Sequence, residues 1–289
     1  MSKNTIMKKM NITRWLLILL LMVTGANLFA QTQAKEPSKE QLTVPLSSPD
    51  KPYTLKVNLV SGAIKVSTYA GKEIIIDVLN GSAKKEEDEE GSGSGSGMRR
   101  IPTGPGYEIS AHEDNNTVSV HSGNPNQRVD LALKIPANLK HLSLHTVNGG
   151  DILVENVKGE LEITNVNGGI RLKDVAGSVV ANTVNGSVMV NLLSIDPTAP
   201  MAFSTLNGNI DVTLPGDTKA DMKLKSDRGE VFSDFDFAIN KSEPKVQKSE
   251  SSGMYKLVLE DWVRGKVNGG GPEMMMKTMQ GQIYIRRGK

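Results

Sequence analysis

Cysteine is absent from the 289 residues, which excludes disulfides, thiolate chemistry and a cysteine-borne lipid anchor. Aromatic residues make up only 4%, and Trp262 is the sole tryptophan beyond the first thirty positions, so sugar-binding aromatic platforms are scarce. Charge of one sign is also lacking. The formal +2 becomes −2 once Lys3, Lys8, Lys9 and Arg14 leave with residues 1–30, and a nearly neutral surface offers no electrostatic case for nucleic acid. Long apolar runs are missing: the nine residues Trp15–Val23 form the longest, whereas a membrane span needs roughly 20.

That short run does have a meaning. A basic start, an apolar stretch and then small and polar residues up to Ala30 make residues 1–30 a secretory signal peptide, with cleavage expected after Ala30 or between Ala26 and Asn27. Residues 31–289 are expected to form a single β-repeat domain with no membrane span. Two polar stretches read as flexible loops: about 81–100, where charges give way to a Gly/Ser run, and 240–253.

The rest of the chain is dominated by repetition. With Gly at position 2 of a nine-residue unit, apolar residues return at positions 4, 6 and 9. They are Leu161, Ile163, Val166; Ile170, Leu172, Val175; Val179, Ala181, Val184; and Val188, Val190, Leu193. Alternation from position 4 to 6 is strand periodicity. Asn-Gly recurs at 148, 167, 185 and 207, whereas Lys158-Gly159 and Ala176-Gly177 mark the bends between, so two units make one larger repeat of 18 or 19 residues.

An all-β fold follows, in one of two forms. An elongated β-solenoid would stack Ile152, Ile170, Val188 and Ile210 in one inward column and the four asparagines in another, about 4.8 Å apart. It would also set Glu155 beside Lys173 and turn the position-9 valines inward. An antiparallel meander would make Asn-Gly a hairpin turn and set Ile163 against Leu172. In either form glycines such as Gly168 are expected to supply positive φ at the bends.

Several pieces, in this order, resemble a bacterial "putative adhesin" family of β-strand repeats, a domain-of-unknown-function family of exported proteins. They are residues 60–78, VSGAIKVSTYAGKEIIIDV; residues 129–152, VDLALKIPANLKHLSLHTVNGGDI; TVNGSVMV at 183–190; FSTLNGNIDVTLP at 203–215; and the ending GKVNGGGPEMMMKTMQGQIYIRR at 265–287. The resemblance spans roughly residues 42–287. It implies a β-repeat fold and a cell-envelope or secreted location, with no catalytic motif to transfer.

His141 and His145 share a strand face but stand roughly 13 Å apart, too far to chelate one zinc, and His112 and His121 are the only other histidines. Met274 and Met276 fall on inward positions with Met279 at position 9, which makes them core and not a copper site. The acidic run Glu86–Glu90 lacks the spacing of a calcium loop. Asp151, Glu162, Asp174 and Asp211 would have to converge to cleave a glycosidic bond, and the Asn-Gly pairs lack the spacing of a phosphate loop. Catalytic, cofactor and metal sites are therefore expected to be none. Outward Leu153, Val180 and Met189 are expected to join as a docking patch, with Arg171 and Lys173 on the same outer surface. The function expected is a non-enzymatic exported binding or structural module for an envelope polymer or protein. Its alternative is a polysaccharide-active enzyme on a β-helix.

Overall fold

The computed structural model describes residues 40–80, 108–122, 127–240, 245–251, 254–260 and 262–288. Residues 1–30 and the stretch 81–100 lie outside the described residues. Every regular element described is a strand, twenty-two in all, twenty of them in one mixed sheet.

That sheet runs through two rows of parallel neighbours. In the first row the order is Thr117–Ser122, Tyr53–Ser61, Leu139–Asn148, Lys158–Asn165, the second half of Ile170–Asn182, Met201–Asn207, Glu273–Gln280 and Ala220–Ser226. The second row runs Val129–Pro136, Ile64–Tyr69, Ile152–Glu155, the first half of Ile170–Asn182, Val188–Ile195, Ile210–Leu214, Ile283–Arg287 and Val231–Ser233. Antiparallel strands close each end, among them Glu73–Asn80 with Glu40–Pro45, and Val263–Val267 with Phe237–Asn240.

Residues of like position stack in register. Ile152, Ile170, Val188, Ile210 and Ile283 form one buried column, because alternate side chains of a strand share a face. Ile163 lies beside Leu144 and Ala181, and Leu172 beside Val154 and Val190, so Ile163 does not face Leu172.

Chain order and stacking order differ at both ends. The strands at 53–69 sit between those of 117–136 and 139–155, and the C-terminal pair at 273–287 sits between those of 201–214 and 220–233. The polar stretch 240–253, expected to be a loop, contains the strand Lys245–Ser251 paired antiparallel with Met254–Glu260. A two-stranded ladder is made by backbone groups, so a polar composition did not prevent it.

The corners correct two further expectations. Position-9 residues point inward at Val157 and Val175, but Val184 and Met279 are exposed, Val166 is half-buried, and Leu193 is 61% exposed while Leu192 takes the core place at 3%. A register shift between Leu172 and Val175 moves Leu192 inward. At the Asn-Gly corners the inward residue is position 8, and it is polar. Thr146, Asn165, Thr183, Thr205 and Thr278 are buried, and they donate to the carbonyl oxygens of Gly62, Gly150, Gly168, Gly186 and Gly208 at 3.0, 2.9, 2.8, 2.8 and 2.9 Å. The tight corner turns each glycine carbonyl toward the interior, where it requires a donor.

Gly168 does not adopt positive φ. A Cβ there would stand 2.2 Å from the Gly150 carbonyl oxygen of the neighbouring corner, and Gly186 meets the Gly168 oxygen at the same distance. Glycine is needed at these corners because backbones stack too closely for a side chain. Gly177, with φ +110°, is a bend where conformational freedom is required as well.

Candidate functional site

The columns that pack the interior also fix which side chains meet outside. On the first row, Asn58 lies between His121 and His145, two strand spacings apart. His141 lies 3.6 Å from Glu160 and 3.7 Å from Glu162. Among the described residues no three His, Asp or Glu side chains are grouped to hold a metal ion. Met274 and Met276 are fully buried in the core.

The four carboxylates singled out from sequence have separate structural tasks. Asp151 accepts from the Gly169 amide at 2.7 Å, Asp174 from the Asn191 side chain at 2.8 Å, and Glu162 lies near His141. Asp211 is gripped by Arg286 through two hydrogen bonds of 2.7 and 2.9 Å. The corner asparagines form an outer ladder: Asn167 donates to Asn148 at 3.3 Å, Asn185 to Asn167 at 2.8 Å and Asn207 to Asn185 at 2.7 Å. Asn167 and Asn185 each both give and receive, as an amide's inventory of groups allows, while Asn148 accepts at one end and Asn207 donates at the other.

The outer surface of the second row brings acidic, basic and apolar side chains together. Glu155 bridges two cations, Lys65 at 3.0 Å and Lys173 at 3.1 Å, which extends the expected pair with Lys173 to three charges. Hydrogen bonds from Lys65 and then Lys173 hold the Glu155 carboxyl below the usual carboxylate range. Arg171 stands between Leu153 and Met189 in register and has no ion pair among the described residues. Two shallow grooves, of about 310 and 270 Å³, share Arg171 and Met189; the second also takes in Lys173, Asp211 and Arg286. Beyond Asp211 the Tyr284 and Phe232 rings stack at 5.2 Å between centroids.

Val180 does not join this surface. It lies on the first row between Glu162 and Ala202, because Ile170–Asn182 crosses from one row to the other along its length. Leu153 and Met189 are also separated by Arg171, so the expected apolar patch becomes a cation flanked by two apolar side chains. Arg286, Tyr284 and Phe232 were missed from sequence. Asp211 and Arg286 are 75 residues apart, and no local spacing signals their meeting.

Because Glu155 has a depressed value in the folded state, its contribution to stability is present above the ordinary carboxylate range and is lost as pH falls through the lowered value. The difference in melting midpoint between wild type and Glu155→Gln is therefore expected to be small and positive near neutral pH. It should vanish on acidification and shrink in high salt, as thermal scans across pH will read.

Two rows of in-register strands joined by glycine corners define a β-strand repeat protein. The chain belongs to the Toastrack DUF4097 family, which matches residues 27–260. Among solved structures, it is similar to a "putative cell adhesion protein" from Clostridium sporogenes, with 14% identity and a TM-score of 0.41 over 86% of this chain and 100% of that one. It is also similar to a "putative adhesin" from Bacteroides fragilis, with 11% identity and a TM-score of 0.39 over 87% of this chain and 98% of that one. No curated protein matches.

Proposed function

We propose that the protein is an exported, non-enzymatic β-solenoid module that attaches to a polymer or protein of the cell envelope through the outer surface of its second row. Residues 1–30 direct export, and the mature chain begins near Gln31. The stacked rows form a scaffold whose outward side chains are held at fixed spacing.

The observation that carries this reading is Arg171. Its neighbours across the strands are apolar, while the nearby carboxylates Glu155 and Asp211 are already engaged by other cations. A guanidinium left without a carboxylate on an open surface is suited to an anionic or hydrogen-bonding partner, and its planar fork favours two-point contact. Arg171→Ala combined with Lys173→Ala is expected to leave folding intact and to reduce retention on cell-envelope fractions about tenfold. Co-sedimentation will measure it. Equal retention of variant and wild type would refute the attachment surface. Progressive shortening of acidic or neutral polysaccharides by the purified protein, abolished by substituting Asp151 or Asp211, would refute the non-enzymatic reading.

A further inference from the structure

The outer surface of the first row, at its C-terminal end, carries an electrostatic conflict. Lys277 lies directly across from Lys225, and Lys223 directly across from Arg264. Like charges opposite one another in a sheet are destabilising. The four cations follow a zigzag over three adjacent strands, about 4.8 Å apart across the sheet and about 6.6 Å along it. Trp262 lies against this group, with the Lys223 ammonium 4.7 Å and the Lys225 ammonium 5.9 Å from its ring centroid.

Counter-charge is sparse. Asp227 reaches Lys225 at 3.4 Å, while Arg264 and Lys277 have no ion pair among the described residues. Asp221 lies one same-face step from Lys223, and Glu273 two such steps from Lys277. Asp221 stands across from Lys266 and accepts from the Gly271 amide at 3.3 Å. Lys277 is exposed.

We propose that Lys223, Lys225, Arg264 and Lys277, with Trp262, form a binding site for an acidic polysaccharide. An anionic ligand relieves the repulsion that the free protein retains. The zigzag is too wide for one phosphate or carboxylate, so the ligand must present several anionic groups at intervals, as a polymer does. The indole offers a flat face for one sugar ring. Nucleic acid is disfavoured because, among the described residues, Trp262 is the one ring set against these cations and the whole chain is close to neutral. The site lies on the opposite row from Arg171 and stands independently of the attachment surface proposed there.

The test is calorimetric titration of the full chain with polygalacturonate, with dextran as the neutral control and polyglutamate as the acidic polypeptide. Wild type is expected to bind polygalacturonate, more weakly as salt rises, and not to bind dextran. Lys277→Gln with Arg264→Gln should lower that affinity about tenfold and raise the melting midpoint, because one member of each repelling pair is gone. Lys56→Gln on the same row should leave the affinity unchanged. Trp262→Leu should weaken polygalacturonate binding and not polyglutamate binding. Unchanged polygalacturonate affinity in the Lys277/Arg264 variant overturns the site. Tighter binding of polyglutamate, with polygalacturonate insensitive to Trp262, overturns the assignment to a glycan.

Discussion

Gly168→Val is expected to cost about 2–6 kcal/mol. Overpacking of a tight interior accounts for roughly 1–3 kcal/mol, and a further 1–3 kcal/mol follows if a buried carbonyl loses its donor. Both penalties arise at one place. The new Cβ would stand 2.2 Å from the Gly150 oxygen and 2.7 Å from the Asn165 amide nitrogen that donates to it. Gly168→Ala separates packing from backbone strain. The backbone at Gly168 lies outside the left-handed region, so alanine is conformationally acceptable there and its cost must come from the stacking contact. Gly269, with φ +91° and nothing within 4 Å of an added Cβ, is the converse control, at which alanine should cost roughly 1–2 kcal/mol from strain alone. Urea denaturation of the three variants reads the result. A neutral Gly168→Ala would remove the packing explanation. Since neighbouring corners share the same geometry, the Gly168 defect should also lower hydrogen-exchange protection in the strands on either side.

Phe203→Ala is expected to cost about 3–5 kcal/mol, the usual range for emptying a fully buried phenylalanine site. Phe203 has no exposed surface and lies in register between Ala181 and Met276. A large residue beside a small one keeps that interior layer filled. Ala181→Leu should therefore be unfavourable alone but should restore part of the loss in the Phe203→Ala background, a coupling that a double-mutant cycle will expose. Strict additivity of the two changes would show that they do not share one packing space.

The interior was legible from local pattern because burial follows strand alternation. Leu161 and Ile163, or Ile170 and Leu172, declare their faces without reference to a distant part of the chain. The asparagine column and the Glu155–Lys173 contact were legible for the same reason, as both join neighbouring repeats of similar length. The corners escape an apolar pattern because the residues buried there are polar. In HTVNG, TNVNG, NTVNG, STLNG and KTMQG, a Thr or Asn stands two places before the corner Asn or Gln, and that regularity was the available sign of the inner ladder.

By itself the sequence determined an all-β chain of repeated strands, the inward side of most strands and the need for glycine at the corners, all consequences of period and residue size. Only the tertiary structure decided the order in which the strands stack. Repeats with similar apolar columns and similar backbone ladders can dock on one another in more than one order, so nothing local sets the C-terminal pair between 201–214 and 220–233. That insertion brings Lys277 beside Lys225 and Arg286 onto Asp211. The outer chemistry of both rows therefore depends on long-range docking, whereas the repeat itself is written in neighbouring residues.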